Sequence, residues 1–378
     1  MRVLFALPGI HRYNRGAEVA FIAIGKELAS LGDDVTLIGS GASRQESSYR
    51  FLRAPSVARE LFEWLPSMPI FRDECAFEEL TFVPNLLRCY RPQDYDVTIT
   101  CSYPFTNWVL TNRTFRGRCP PHVFVTENGD WPAFSNDSEY RYFHCDGLIC
   151  TNRDFFERNQ LRWNCRTIPN GVDCVKFSPG PPEREEFKLP ADRPIVLMVS
   201  ALAPNKRVEA GIEAVSKTIA HLVVAGDGPR RQFIDALAAQ LLGDRFTRLL
   251  VTPDRMPALY RSANVVLHLT KEESFGNVFV EAMACGLPIV AHDSPRLRWL
   301  IGEGEYLHNT DDPNLTAQYI SLALTATAAR RQKLVMRSEL FSWSRVGRAY
   351  QEFLNEIVFR WPGKSRGSTL TRDSVGIW

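Results

Sequence analysis

Residues 2–38 read RVLFALPGIHRYNRGAEVAFIAIGKELASLGDDVTLI, and the order of patterns within them decides the fold. Residues 2–7 are a continuous apolar run, as a parallel strand buried on both faces requires. A polar loop follows at 9–15. Over 17–31, Val19, Ile22, Ala23, Leu28 and Leu31 fall near helical spacing, which predicts a helix. Gly32 ends that helix, because glycine enters the left-handed conformation without a side-chain penalty. Residues 34–38 (DVTLI) then resume as a strand. Strand, helix, strand is a βαβ unit, and the architecture it implies is an open parallel sheet.

Further strands are expected at 97–101, 122–126, 147–150 and 165–170, the last running into a turn at Asn170-Gly171. Residues 50–92 are aromatic and helical in places, with Pro55, Pro66, Pro69 and Pro84 as breaks, and carry no readable motif. The stretch 178–194 holds five of the 24 prolines with several charges, which reads as an interdomain linker. A second βα series follows at once. Its strands are expected at 195–200, 221–225, 247–251, 264–269 and 288–291, and its helices at 207–219, 229–242, 255–262 and 277–285. The expected organisation is an N-terminal Rossmann-like domain over 1–177, a linker over 178–194 and a C-terminal Rossmann-like domain over 195–341. A C-terminal helix over 342–362 crosses back to the first domain, and a polar, frayed tail covers 363–378. The fold class is α/β, with two parallel-sheet domains facing a central cleft. Ligands of such sheets sit outside the carboxyl ends of the strands.

Composition removes several classes. A chain of 378 residues fits two domains. With 45% hydrophobic and 23% charged residues it is neither disordered, collagen-like nor a disulfide miniprotein. The 45 basic and 43 acidic residues give a net charge of +2, too small a field to argue for nucleic acid. Nine scattered cysteines with no CxxC fit reduced thiols. A zinc site at His144, Cys145 and Cys150 lacks paired ligands at tight spacing, and small buried hydrophobes are the plainer reading. The N-terminal apolar run is too short for a signal segment, and no run of 18 apolar residues exists to span a membrane. The expected location is therefore the cytoplasm, with peripheral contact at the inner membrane face left open. The sequons at Asn112, Asn136 and Asn314 would need a secretory route.

The strongest chemical signal is 272–288, EESFGNVFVEAMACGLP, which follows an expected strand and opens an expected helix. The unpaired N–H groups at a helix start can hold an anion. Glu273 sits before the helix and Glu281 within it, and Gly276 lets a ligand approach the backbone. A carboxylate can accept two hydrogen bonds from a vicinal diol, which ribose and hexoses offer. The alternative is two solvated glutamates favouring a helix start. For Glu281 that alternative is costly, because it lies among Phe279, Val280, Ala282, Met283 and Ala284.

In the form EESFGNVFVEAMACGLPIVA, this Glu-x7-Glu element resembles that of the retaining family 4 glycosyltransferases, which have the GT-B fold. RGAEVAFIAIGKELASLGDDVTLI is similar to the family's Gly-rich first loop and helix. CDGLICTN and IPNGVDCVKFSP resemble the segments leading into its linker, VSALAPNKRVEAGIEA its phosphate-binding turn, and VVAGDGP its nucleotide-side turn. The likeness covers the chain except about 45–95 and the last fifteen residues, and the ordered combination is what makes it specific.

The resemblance implies a retaining transferase that moves a sugar from a nucleoside diphosphate sugar to an acceptor hydroxyl, in glycan, polysaccharide, glycolipid or small-molecule glycoside biosynthesis. Lys206 and Arg207 match its basic pair at the donor diphosphate, where they would neutralise charge growing on the leaving group. A surface helix start is the alternative, but a basic pair there opposes the helix dipole. Glu281 matches the ribose-binding glutamate and Glu273 the one facing the transferred sugar. Amides of Phe275, Gly276, Asn277 and Val278 would meet sugar and phosphate. Gly226 and Gly228 would line the nucleotide pocket, and Gly16 would bring backbone near the diphosphate unless it is a plain helix start. No metal and no cofactor beyond the donor is expected. The partners are the nucleoside diphosphate sugar and a sugar, lipid-linked or small-molecule acceptor, with no nucleic acid.

Two departures stand out. Where members often carry an Arg before the Ala-Pro-x-Lys turn, this chain has Ser200-Ala201-Leu202, so Arg207 is the candidate substitute. Where many have a His after the strand at 122–126, it has TENGDW, leaving Glu127, Asn128 and Asp130 as acceptor-side candidates. His122 reads as a strand-edge histidine. Asp94-Tyr95-Asp96 is formally a DxD metal element, but it precedes a strand in a chain without the matching pattern. Gly39-Ser40-Gly41 lacks a third glycine and a following helix, which disfavours a dehydrogenase. A non-catalytic sugar-nucleotide-binding protein and a nucleotide-sugar epimerase remain as alternatives.

Overall fold

The computed structural model describes residues 1–44, 48–112, 119–135, 141–271, 273–302 and 305–361. Glu272, the sequon at Asn136 and the tail 363–378 lie outside the described residues. The chain divides into two compact units, Met1–Asn170 with the segment from Trp343 onward, and Gly171–Ser342. Each is an α/β body around its own parallel sheet, as a GT-B chain should be.

The first unit's sheet has strands β1 (Arg2–Ala6), β2 (Asp34–Gly39), β3 (Arg50–Arg53), β4 (Val97–Thr100), β5 (His122–Val125), β6 (Gly147–Cys150) and β7 (Cys165–Thr167), in the order β3-β2-β1-β4-β5-β6-β7. All pairs are parallel. Val3 lies between Val35 and Val97, so apolar side chains meet across strands on both faces. Its helices are α1 (Gly16–Ser30), α2 (Glu74–Cys89), α3 (Phe105–Thr111), α4 (Trp131–Phe134) and α5 (Arg153–Asn159). Pro84 does not break the chain as the sequence reading expects. It lies inside α2, on its exposed side. The Leu80 carbonyl that loses its partner can therefore turn to water, which reduces the cost of an interior proline.

The second unit carries β8 (Ile195–Val199), β9 (His221–Ala225), β10 (Phe246–Leu249), β11 (Val265–His268), β12 (Ile289–His292) and β13 (Tyr306–His308), in the order β10-β9-β8-β11-β12-β13. The intervening helices are α6 (Val208–Ser216), α7 (Arg231–Leu241), α8 (Met256–Ser262), α9 (Asn277–Ala284), α10 (Pro295–Ile301), α11 (Pro313–Leu324) and α12 (Ala328–Ser338). The proline-rich stretch after 178 is anchored rather than free. Glu183 pairs with Arg261 at 2.7 Å, and Arg184 donates to Asn264 Oδ1 at 2.8 Å and to the Ser262 carbonyl. These bonds fasten it to the end of α8.

A last helix, α13 (Trp343–Arg360), belongs to the first unit. Val346, Tyr350, Phe353, Leu354 and Ile357 recur at helical spacing and are buried with Phe21, Ile24 and Leu28 of α1. Burying each large side chain is worth about 1.5–3 kcal/mol. Gly347 permits the close helix contact, since a Cβ there would stand 2.5 Å from that of Glu27.

Candidate active site

In the second sheet the chain runs outward from β8 through β9 to β10, then restarts at β11 on the other side of β8. The carboxyl ends of β8 and β11 therefore flank a topological switch point, where loops diverge and leave a crevice. Lys206 lies in the loop after β8 and Glu273 in the loop after β11. The structure joins these two as an ion pair, each side chain 21% exposed.

Glu273 uses one oxygen for both of its side-chain contacts. Lys206 Nζ meets Oε1, and His268 Nε2 lies 3.1 Å from the same atom. Among the described residues no donor reaches Oε2. Burial alone would raise this carboxyl, but the His268 hydrogen bond and the Lys206 charge pull it down to about 2. It is an anion throughout the physiological range.

Gly276 begins α9 with φ +90°, a conformation that disfavours any Cβ, and a Cβ there would come within 2.6 Å of the Phe279 ring. Phe275 is buried, its ring centroid 6.0 Å from that of Phe341. Asn277 and Val278 open α9, where Gly276 at the N-cap position has no side chain to cap with. Glu281 follows one turn on. Tyr260 of α8, fully buried, donates to its Oε2 at 2.7 Å. Burial pushes Glu281 up to about 7, against the Tyr260 hydrogen bond and the charge of Lys176. Its Oε1 takes no hydrogen bond among the described residues.

The basic pair divides its work. Arg207, at φ +53°, donates to the Leu269 carbonyl, to Thr310 Oγ1 at 2.8 Å, to the Thr310 carbonyl at 2.9 Å and to Asp311 at 2.9 Å. Its guanidinium braces the loops that leave β11 and β13. Gly226 and Gly228 also have reasons within the protein. A Cβ on Gly226 would sit 1.9 Å from the Ser200 carbonyl oxygen, and one on Gly228 2.7 Å from Leu202 backbone atoms. They let the turn after β9 lie flat on the 200–202 loop beside the crevice.

In the first unit the switch point falls between β1 and β4. Gly16 is the first residue of α1, in the loop side of β1. Glu127, just past β5, accepts from Asn170 Nδ2 at 2.8 Å, and its other oxygen is buried with no hydrogen-bond partner among the described residues. Burial raises it to about 7. Asn128 is exposed. Asp130, the third acceptor-side candidate of the sequence reading, is 4% exposed and engaged within the first unit. Its Oδ1 accepts from Arg158 at 2.6 Å and its Oδ2 from Arg158 Nε and from Asn159 at 2.8 Å, which ties it into α5. The motifless 50–92 stretch supplies a charged knot instead: Arg59 pairs with Glu78 at 2.8 Å, Glu78 with Arg12 at 3.1 Å, and Arg59 lies 4.5 Å over the Tyr13 ring.

The other sequence candidates lie apart from these crevices. Asp96 accepts from the Arg2 backbone at 2.9 Å, at the amino end of β4, opposite the ligand side. His122 is held neutral by burial, its pKa near 3, with Nδ1 2.8 Å from Thr98 Oγ1. Among the described residues no three His, Cys, Asp or Glu side chains gather as a metal would need, and no helix is long and apolar enough to cross a membrane. Sequence reasoning missed His268 and Tyr260. A histidine closing a run as apolar as VVLH was the available signal for the first.

Two family models match the chain, Glycosyltransferase Family 4 over residues 14–176 and Glycosyl transferases group 1 over 181–338. A GDP-mannose-dependent alpha-(1-6)-phosphatidylinositol dimannoside mannosyltransferase of Mycobacterium tuberculosis is 27% identical over 61% of this chain and 62% of its own. A D-inositol 3-phosphate glycosyltransferase of Xylanimonas cellulosilytica is 31% identical over 52% of each. Both matches thus span less than two thirds of those relatives. Among solved structures, Anabaena Alr3699/HepE in complex with UDP-glucose superposes with a TM-score of 0.72 at 18% identity, over 94% of this chain and all of that one. That likeness is one of fold.

Proposed function

We propose, for a chain that belongs to the family 4 glycosyltransferases with the GT-B fold, that it moves a sugar from a nucleoside diphosphate sugar to an acceptor hydroxyl with retention of configuration. The observation that carries this reading is the pairing of Lys206 with Glu273 across the switch point, in the loop that leads into α9 and Glu281. Each carboxylate has one oxygen engaged and one open. Glu281 Oε1, with two lone pairs, suits the two hydroxyls of a ribose diol, and Glu273 Oε2 suits a hydroxyl of the transferred sugar. The Lys206 ammonium has donors to give a diphosphate, and the α9 amides add a fixed positive end.

In this reading the acceptor hydroxyl attacks from the leaving group's side, and a donor phosphate oxygen takes its proton. Bond breaking loads charge onto the nucleoside diphosphate, where Lys206 and the 276–278 amides stabilise it. Arg207 acts by holding the loops in place. The acceptor, whether a sugar, a lipid-linked or a small molecule, belongs to the first unit, with Glu127, Asn128 and the Arg12–Glu78–Arg59 knot as its candidate surroundings. A lipid-linked acceptor would bring peripheral membrane contact with it. The direct test screens nucleoside diphosphate sugars, beginning with UDP-glucose and GDP-mannose, by thermal shift and donor hydrolysis, and reads the product's anomeric configuration by NMR. An inverted product, a donor epimer, or binding with no turnover under any acceptor would each overturn it.

Two expectations follow from the charges. Fixed cations serve the diphosphate, so transfer should survive EDTA at full rate. Loss on chelation with recovery on manganese would overturn the metal-free reading. The second concerns pH. A diol donates to a carboxylate but only weakly to a carboxylic acid. Glu281, raised to about 7, ionises as pH climbs. Affinity for the nucleotide sugar should therefore rise about tenfold from about pH 6 to about pH 8 and then level off. The Glu281→Gln variant should bind weakly and show a flat profile. Parallel slopes for the two proteins would detach the profile from Glu281.

A further inference from the structure

We propose that His268 is a positioning residue, holding the Glu273 carboxylate in place when Lys206 turns to the donor diphosphate; the role rests on the reading of Glu273 given above. The geometry begins with β11, whose last residue is His268, 4% exposed amid apolar neighbours. Its ring stands edge-on to Phe279, centroids 4.9 Å apart at 78°, so packing fixes its plane. Nε2 lies 3.1 Å from Glu273 Oε1. A carboxylate only accepts, so Nε2 carries the hydrogen and donates.

Lys206 touches that same oxygen. A single oxygen with two donors remains tethered when one leaves, and Oε2 stays turned outward. Lys206 is the mobile donor: its ammonium ends a flexible stem and is drawn to a dianionic diphosphate. The imidazole is the immobile one, clamped between strand and ring. Without it, the arriving donor would free Glu273 to rotate at the moment its open oxygen is needed. A loosened first contact of this kind costs rate more than affinity for the nucleotide, which touches other groups.

The test uses two amides of similar polarity. His268→Gln extends a donor toward Glu273, and His268→Asn stops short of it. The Asn variant should lose about 10- to 100-fold in kcat, the effect of removing one hydrogen bond to a charged group. Its affinity for the sugar-free nucleoside diphosphate should stay within about twofold, and the Gln variant should recover most of the rate. Equal rates in Asn, Gln and parental enzymes, or equal losses in both variants, would overturn the role. A second measurement needs no activity: a crystal structure of the Lys206→Ala protein without ligand. Glu273 should remain bonded to His268 there. A carboxylate swung away from an intact His268 overturns the inference, while a parental protein that binds no nucleoside diphosphate sugar overturns the functional reading instead.

Discussion

A Glu281→Ala protein should lose about two to four decades of kcat/KM, because two hydrogen bonds from ribose hydroxyls to a charged group vanish at about 1.5–3 kcal/mol each. The geometry allows that size of effect. Tyr260 holds Oε2 at 2.7 Å from a helix in which its own ring is fully buried, so the carboxylate is oriented before any ligand arrives. Truncation also strands the Tyr260 hydroxyl in the core, at a cost to stability of about 1–3 kcal/mol. Melting temperature must therefore be measured beside kinetics, with the reading taken where both proteins are folded. A 2′,3′-dideoxyribose donor separates the two effects. The parental enzyme should discriminate strongly against it, and the Ala variant should treat both donors alike. A folded Ala variant with near-parental kcat/KM removes Glu281 from the ribose site, and undiminished discrimination by that variant does the same.

How far such sites can be read from sequence depends on whether the partner groups are local. The β1–α1–β2 unit is legible because its periodicities are complete within one short stretch. The Glu273–Glu281 spacing is legible for the same reason, since loop and helix are contiguous. The edge strand β3 is not. Its four residues, Arg50–Arg53, are only partly buried and begin and end in arginine, so no alternation or apolar run announces it. Nor is β13, three residues whose burial depends on pairing with β12. The surroundings of Asp130 are not legible either, because the TENGDW stretch does not say which carboxylate turns inward; its partners, Arg158 and Asn159, come from α5, beyond α4 and β6. Arg207 shows the same limit. Its neighbours Leu269 and Thr310 come from two other strand ends, and only the sheet order brings them together. His268 escaped because a lone histidine in an apolar run usually reads as core, and it does lie in the core, at the one strand end that opens on Glu273.

Lys206→Ala should reduce kcat by about two decades or more, comparable to deleting one oxyanion-hole donor. The argument turns on when the lysine is needed. In the unliganded protein its ammonium is neutralised by Glu273, so part of any diphosphate contact is spent on parting that pair. In the transition state the leaving diphosphate has gained charge, and the same contact is stronger. Interactions that strengthen along the reaction raise kcat, whereas uniform binding only lowers KM. The substitution should thus show mainly in kcat at saturating acceptor, with a smaller rise in donor KM. Arg207→Ala should behave differently. Among the described residues its four hydrogen bonds all go to protein groups, so its removal should lower the melting temperature and slow transfer only through loosened loops. Steady-state kinetics of both variants, with melting curves, separate the roles. A Lys206→Ala enzyme altered in donor KM alone makes the lysine a simple binding group. A loss in Arg207→Ala equal to that of Lys206→Ala, without thermal destabilisation, would put the guanidinium on the diphosphate. If neither variant changes either constant, the diphosphate lies away from the β8–β11 switch point.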